Sequence, residues 1–290
     1  MFDARSLTYL LNPKLMKKHY LLVLAAASLS LYSCDTTKQT ETTTTAQPNM
    51  AETTQPNGVM EKNGLKVYSF DDSPNFPEAA LRLNTPAANS TVPSGEVDFA
   101  YDVTNFQLTK QTQHMHEGMA NSHQGQHIHN IVDNEPYTAH YETTFKKPVK
   151  DGHHIILSFL SRSFHESLKH KQAYDLRVVT VGNTNSTQEF DATGQHMFYS
   201  RPKGDYTGDA ETKKIMLDFY LVNTNLAADG NKVRATINGT EFMLDKWLPY
   251  IIEGLPMGET TIKLELLDNS GNVIPGPYNT VERKINLKAA

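Results

Sequence analysis

Gly125-Gln126-His127-Ile128-His129-Asn130-Ile131-Val132-Asp133-Asn134 aligns without a gap with Gly230-Asn231-Lys232-Val233-Arg234-Ala235-Thr236-Ile237-Asn238-Gly239. In each stretch a glycine opens a period-two segment rich in β-branched residues, and an Asx or Gly pair that favours left-handed turns closes it. The pattern predicts a strand followed by a hairpin, present twice in one chain. The repeat extends outward from there. Leu81-Arg82-Leu83-Asn84-Thr85-Pro86 matches Met197-Phe198-Tyr199-Ser200-Arg201-Pro202, and Val103-Thr104-Asn105-Phe106-Gln107-Leu108 matches Leu221-Val222-Asn223-Thr224-Asn225-Leu226. The segment from Gly152 to Leu160 matches that from Gly258 to Leu267, and Tyr174 to Val181 matches Tyr278 to Leu287.

Each copy holds six or seven short strands, such as Val97-Asp98-Phe99-Ala100-Tyr101-Asp102-Val103, bounded by Gly, Pro, Asn or Asp. That is the pattern of an immunoglobulin-like or fibronectin-like β-sandwich, so the expected fold class is all-β with two such domains in tandem. Only Phe164 to Lys171 reads as a helical turn or two. The chain has 290 residues, enough for two domains of ~100 residues with segments for export and linkage. We expect domain 1 over 63–189 and domain 2 over 190–290.

The N-terminal part reads differently. Met16-Lys17-Lys18 supplies a positive start and Tyr20 to Leu31 an apolar run, ending in Leu31-Tyr32-Ser33-Cys34. This resembles a bacterial lipoprotein signal, with 1–33 removed, the true start at Met16, and Cys34 the acylated first residue of the mature protein. The run is shorter than the ~20 residues a spanning helix needs. The expected location is the cell envelope, anchored by lipid to a periplasmic or surface face. Residues 34–62 then form a disordered linker, since nine threonines lie between Asp35 and Asn57 with almost nothing apolar.

Composition removes several classes of function. The formal charge is -5, and the leader is basic, so the exported part is more acidic still and repels nucleic acid. Cys34 is the single cysteine, which excludes intramolecular disulfides and thiolate metal sites. The sequence holds no GxSxG, GxGxxG or Walker A motif and no distinctive carboxylate pair. The expectation is a binding protein, not an enzyme.

Where the copies differ, the difference is histidine. The offset between them is 118 at Asn105/Asn223 and 105 at Gly125/Gly230, so copy one carries 13 additional residues. That insertion contains His114, Met115, His116, Met119 and His123 and runs into His127 and His129. Imidazole suits copper, zinc and nickel, and thioether sulfur selects Cu(I). A copper or zinc site on these seven residues is expected, with Glu117 or Asp133 orienting ligands. His127 and His129 share one strand face; alignment with Lys232 and Arg234 turns that face outward, which also fits a plain polar surface.

A second cluster is Ser161-Arg162-Ser163-Phe164-His165-Glu166-Ser167-Leu168-Lys169-His170. The position four after His165 is Lys169 and His170 lies ~140° around a helix from His165, which excludes a zincin. Arg162, Ser163, His165 and Lys169, joined by His140 and Arg201, offer donors for an anionic peptide or glycan; an ordinary solvated loop is the other reading. A purely structural adhesion role also stands.

The run from Gly125 to Asn134, then Tyr137, His140, Tyr141, Gly152-His153-His154, Ser161 to Ser167 and Phe198 to Gly204 resembles a family of lipoproteins from Bacteroidetes-type bacteria with tandem Ig-like domains. Some members of that family are labelled phosphopeptide-binding, which implies an anion site.

Overall fold

The computed structural model describes residues 53–54, 58–113, 118–184 and 190–290. Cys34, the leader and most of the threonine-rich stretch lie outside the described residues, as do His114, Met115, His116 and Glu117. Among the described residues no helix is long and apolar enough to cross a membrane.

Four sheets build the described residues. One sandwich packs a three-stranded sheet (Ala80–Thr85, Gly95–Thr104, Thr144–Val149) on a five-stranded one ordered Thr91–Val92, Tyr174–Val181, Gly152–Ser161, His127–Val132, Thr138–His140. Its core includes Leu81, Leu83, Val97, Phe99, Ile128, Ile156 and Leu160. The inward residues of Gly95–Thr104 alternate along the strand, as its period-two sequence requires. The second sandwich packs a six-stranded sheet containing Ile215–Val222 and His196–Arg201 on a five-stranded sheet built around Thr280–Lys288, Gly258–Leu267 and Lys232–Ile237. Met197, Tyr199, Leu217, Phe219, Val233, Ala235 and Ile237 lie in its core.

The internal repeat is visible in the backbone. Both copies carry a β-bulge just before a cis proline, between Leu83 and Thr85 ahead of Pro86 and between Tyr199 and Arg201 ahead of Pro202. Asn105 and Asn223 are both left-handed at φ 55, and their side chains donate to the carbonyls of Glu78 and Ala192. The hairpin pairs Asp133/Asn134 and Asn238/Gly239 have positive φ at all four positions, the turn geometry whose twist matches that of the flanking strands.

Three expectations are corrected. Leu65–Ser69 pairs antiparallel with Tyr250–Glu253, so a segment placed in domain 1 completes the sheet of the second sandwich. Met60–Lys62 and Thr53–Thr54 extend that sheet in turn. The linker given as 34–62 therefore ends in paired strands, with Met60 buried in the second core. The physical reason is that Leu65 and Val67 form an apolar face that finds its cover on a strand far away in sequence. Phe164 to Lys171 forms no α-helix; one 3-10 turn spans Lys171–Ala173.

The sandwiches share a third core. Ile131, Ile155, Leu157 and Phe159 on the outer face of the five-stranded sheet pack with Phe198, Tyr220 and Val222 on the outer face of the six-stranded sheet. Polar ties flank it. Tyr199 N donates to Asn134 Oδ1 at 2.8 Å, Tyr220 Oη donates to the Leu168 carbonyl at 3.1 Å, and Lys169 pairs with fully buried Asp218. Strands in this layer are buried on both faces, and His127–Val132 is one of them.

Candidate metal centre

His127–Val132 is held on one side by Gly152–Ser161, where Phe159 faces His129 and Ser161 faces His127, and on the other by Thr138–His140. Ile128 points into its own sandwich, as the repeat implies. His127 and His129 point the other way, and both are 0% exposed. They face outward from their own sandwich as expected, but the expected accessibility is corrected: the second sandwich packs on that face.

A third histidine arrives from a tight loop. Ser161 bridges to Ser167, Arg162 N donates to the Glu166 carbonyl, and His165 N donates to the Arg162 carbonyl. The loop closes with His165 at φ 70, a left-handed conformation uncommon for a residue with a Cβ and one that marks a constrained site. Its ring is thereby aimed at the strand.

The three imidazoles converge. One ligand nitrogen from each lies within 4.8 Å of the others. His127 Nε2 is 2.8 Å from His129 Nε2 and 3.1 Å from His165 Nδ1. His127 Nδ1 lies 2.8 Å from the Gly125 carbonyl; this carbonyl can only accept, so Nδ1 carries the proton and Nε2 presents its lone pair to the cluster. Two further ring nitrogens face that one lone pair. The Tyr137 ring stacks on His129 with centroids 3.6 Å apart and planes 12° apart, and its hydroxyl lies 3.3 Å from His165 Nδ1.

Electrostatics hold the cluster neutral. Burial pushes His127 down to about 4, the Gly125 carbonyl opposes this, and the positive charges of Arg201 and Lys203 add to it. Burial, followed by neighbouring cationic groups, holds His129 and His165 well below the usual histidine range. A neutral imidazole is the metal-binding form.

Of the other expected ligands, the two among the described residues lie elsewhere. Met119 is buried against Phe164, Met216 and Ile251, and His123 is exposed. The described end of the insertion nevertheless lies over the site. Ser122 N donates to the Ser163 carbonyl, and Ser122 Oγ lies 2.7 Å from the hydroxyl of Tyr141, whose ring is 5.1 Å from His127. Asp133 does not orient this cluster; it holds His154 at 2.6 Å and accepts from Ile155 N.

The six residues expected to bind an anion do not converge. Arg162 and Glu166 form a buried ion pair at 3.0 Å, and Lys169 is paired with Asp218. Ser163 is buried and exchanges hydrogen bonds with Thr112. His140 stacks on Phe145 with centroids 3.3 Å apart and is pushed down to about 4 by burial and by Lys147. Arg201 is buried and donates to Tyr206 Oη. His165, assigned to that set from sequence, belongs with His127 and His129 instead. Its signal was present in the sequence as a histidine beside the loop of paired serines, but a partner 38 residues away leaves no periodic trace.

No protein-family model matches the sequence, and no curated protein is similar to it. Among solved structures, fibronectin(III)-like modules of Clostridium thermocellum CbhA are 10% identical, with 72% of this chain and 95% of that chain covered and a TM-score of 0.26. The Bacteroides ovatus mixed-linkage glucan utilization locus SGBP-B, in complex with a mixed-linkage heptasaccharide, is 11% identical over 71% of this chain and 47% of that one, with a TM-score of 0.23. A two-domain fibronectin type-III segment of chicken tenascin is 8% identical over 72% and 98%, with a TM-score of 0.19. The described residues themselves form two immunoglobulin-like or fibronectin-like β-sandwiches in tandem.

Proposed function

We propose that this chain is a non-catalytic binding protein of the cell envelope, anchored by lipid at Cys34, that holds a copper or zinc ion on His127, His129 and His165. The observation that carries the reading is the grouping of three neutral imidazoles, from fully buried His127 and His129 and half-buried His165, with one nitrogen of each within 4.8 Å of the others. Imidazole binds zinc at about 2.0 to 2.1 Å, which separates two ligand nitrogens by about 2.9 Å at a right angle and about 3.3 Å at the tetrahedral angle. Two of the three separations, 2.8 and 3.1 Å from His127 Nε2, fall near that range, and the His129–His165 pair, within 4.8 Å, would close to it on binding. A bound ion would take all three lone pairs and relieve the competition for one of them, while the Gly125 carbonyl orients His127 from behind.

Calorimetric titration of the metal-stripped protein with Cu(II) and with Zn(II) tests this. Binding of one ion per chain at submicromolar affinity is expected, with a loss of at least about tenfold in His165→Asn. Asparagine is chosen because it tolerates the left-handed backbone of position 165. No binding to the intact protein contradicts the reading. The anchor is tested separately: Cys34→Ala should move the protein from the membrane to the soluble fraction of cells expressing it, and unchanged fractionation refutes lipidation at that residue.

A further inference from the structure

Away from the histidines, a cleft of about 400 Å³ opens where the segment after Leu65–Ser69, the 162–170 loop and the turn ahead of Tyr250–Glu253 meet. That volume lies within the range of small-molecule sites, about 300 to 1,000 Å³, and a junction between domains is where such sites commonly form.

The walls of the cleft are tied in place. Arg162 donates from Nε and a terminal guanidinium nitrogen to the Pro74 carbonyl at 3.0 and 2.7 Å, Ser73 donates to Glu166, and Phe70 N donates to the Pro249 carbonyl at 3.2 Å. Trp247 is half-buried; its Nε1 donates to the Phe219 carbonyl at 3.0 Å, and its ring meets Tyr220 edge-on with centroids 5.2 Å apart. Groups already ordered lose little entropy when a ligand arrives.

The lining selects a kind of ligand. Phe70 and Trp247 supply aromatic surface, while Asp71 and Asn75 are exposed and have no hydrogen-bond or ion-pair partner among the described residues. Arg162 and Glu166 neutralise one another at 3.0 Å, and Lys169 is held by Asp218. Among the Asp, Glu, Lys and Arg side chains of the cleft, the Asp71 carboxylate is therefore the unpaired charge. A ligand that suits these walls has an apolar face and a row of hydroxyls, and no negative charge. A pyranose ring meets all three conditions: its C–H face covers an aromatic ring, and neighbouring hydroxyls donate to a carboxylate and exchange hydrogen bonds with a carboxamide. Sugar acids and sugar phosphates are repelled by Asp71.

We propose that this cleft binds a neutral carbohydrate, with Phe70 and Trp247 against the sugar ring and Asp71 and Asn75 on its hydroxyls. The cleft shares no residue with the histidine cluster, so sugar binding requires no metal.

Trp247 is the only tryptophan of the chain, and its emission in the full chain reports directly on this cleft. Titration with cellohexaose, maltohexaose, laminarihexaose, mannohexaose and xylohexaose should give a saturable change in emission with at least one of them, and hexagalacturonate should give none. In Asp71→Ala and in Asn75→Ala the affinity should fall at least about fivefold. Both positions are exposed, and thermal unfolding equal to that of the wild type separates a lost contact from a lost fold. No change in emission with any of the neutral oligosaccharides overturns the assignment. So does a response to hexagalacturonate at equal affinity, or sugar binding that neither substitution weakens.

Discussion

His127–Val132 and Lys232–Ile237 are the same strand in two copies of one fold, yet they live in different solvents. Both lead into left-handed hairpin turns, and both direct a middle hydrophobe, Ile128 or Val233, into the core of their own sandwich. On the opposite face Lys232, Arg234 and Thr236 are partly exposed, and Arg234 meets Glu265 at 2.8 Å. His127, His129 and Ile131 instead lie beneath the second sandwich with no exposure at all. The repeat fixes which residues face inward; what covers the other face is decided by a partner sheet. A face once freed from solvent can keep polar groups only if they are neutral or paired, and histidine meets that condition where lysine and arginine do not.

Exchanging residues between the copies breaks this comparison most severely. His129→Arg places a charge where its neighbours are His127, His165, Arg201 and Lys203, and burying an unpaired charge costs about 3 to 5 kcal/mol. Denaturant unfolding should show a loss of that order, with the proposed metal binding abolished. A neutral result would mean that the two outer faces are equivalent after all.

Acid comes next. The unfolded chain takes up protons on histidine around pH 6.5, whereas folded His127 resists protonation down to about 4 and burial also depresses His129, His165 and His140. Between those limits the unfolded state binds more protons, so stability falls as pH drops. Thermal unfolding of the metal-free protein should be nearly flat above about pH 7 and decline from about 6.5 toward 4. A melting temperature that holds constant across that window would show that the imidazoles are hydrated.

The reciprocal exchange, Arg234→His, should be the mildest. It removes a partly exposed ion pair, and such pairs contribute under about 1 kcal/mol. A loss as large as that of His129→Arg would erase the distinction between the faces.

The sequence showed what is local and left out what is not. Alternation along Gly95–Thr104 and Gly258–Leu267, the matched asparagines at 105 and 223, and the paired turns at 133/134 and 238/239 are all short-range signals, and the two sandwiches follow from them. The placement of Leu65–Ser69 beside Tyr250–Glu253 is not short-range, because an apolar alternating segment fits any open edge and nothing in its own residues names the partner. The candidate site divides in the same way. His127 and His129 were legible as a pair on one face, while the burial of that face, the arrival of His165 and the approach of Tyr137 depend on a loop and a hairpin folding onto it. Arg162 and Lys169 looked like free cations for the same reason: Glu166 could be seen four residues on, but Asp218 belongs to the other sandwich.

The most direct test is anomalous diffraction at the metal edge from crystals of the protein grown with Cu(II) or Zn(II). The expected result is a single strong peak about 2.0 to 2.1 Å from His127 Nε2, His129 Nε2 and His165 Nδ1 together. A peak on other residues, or none where the three imidazoles meet, would contradict the assignment of this cluster as a metal centre.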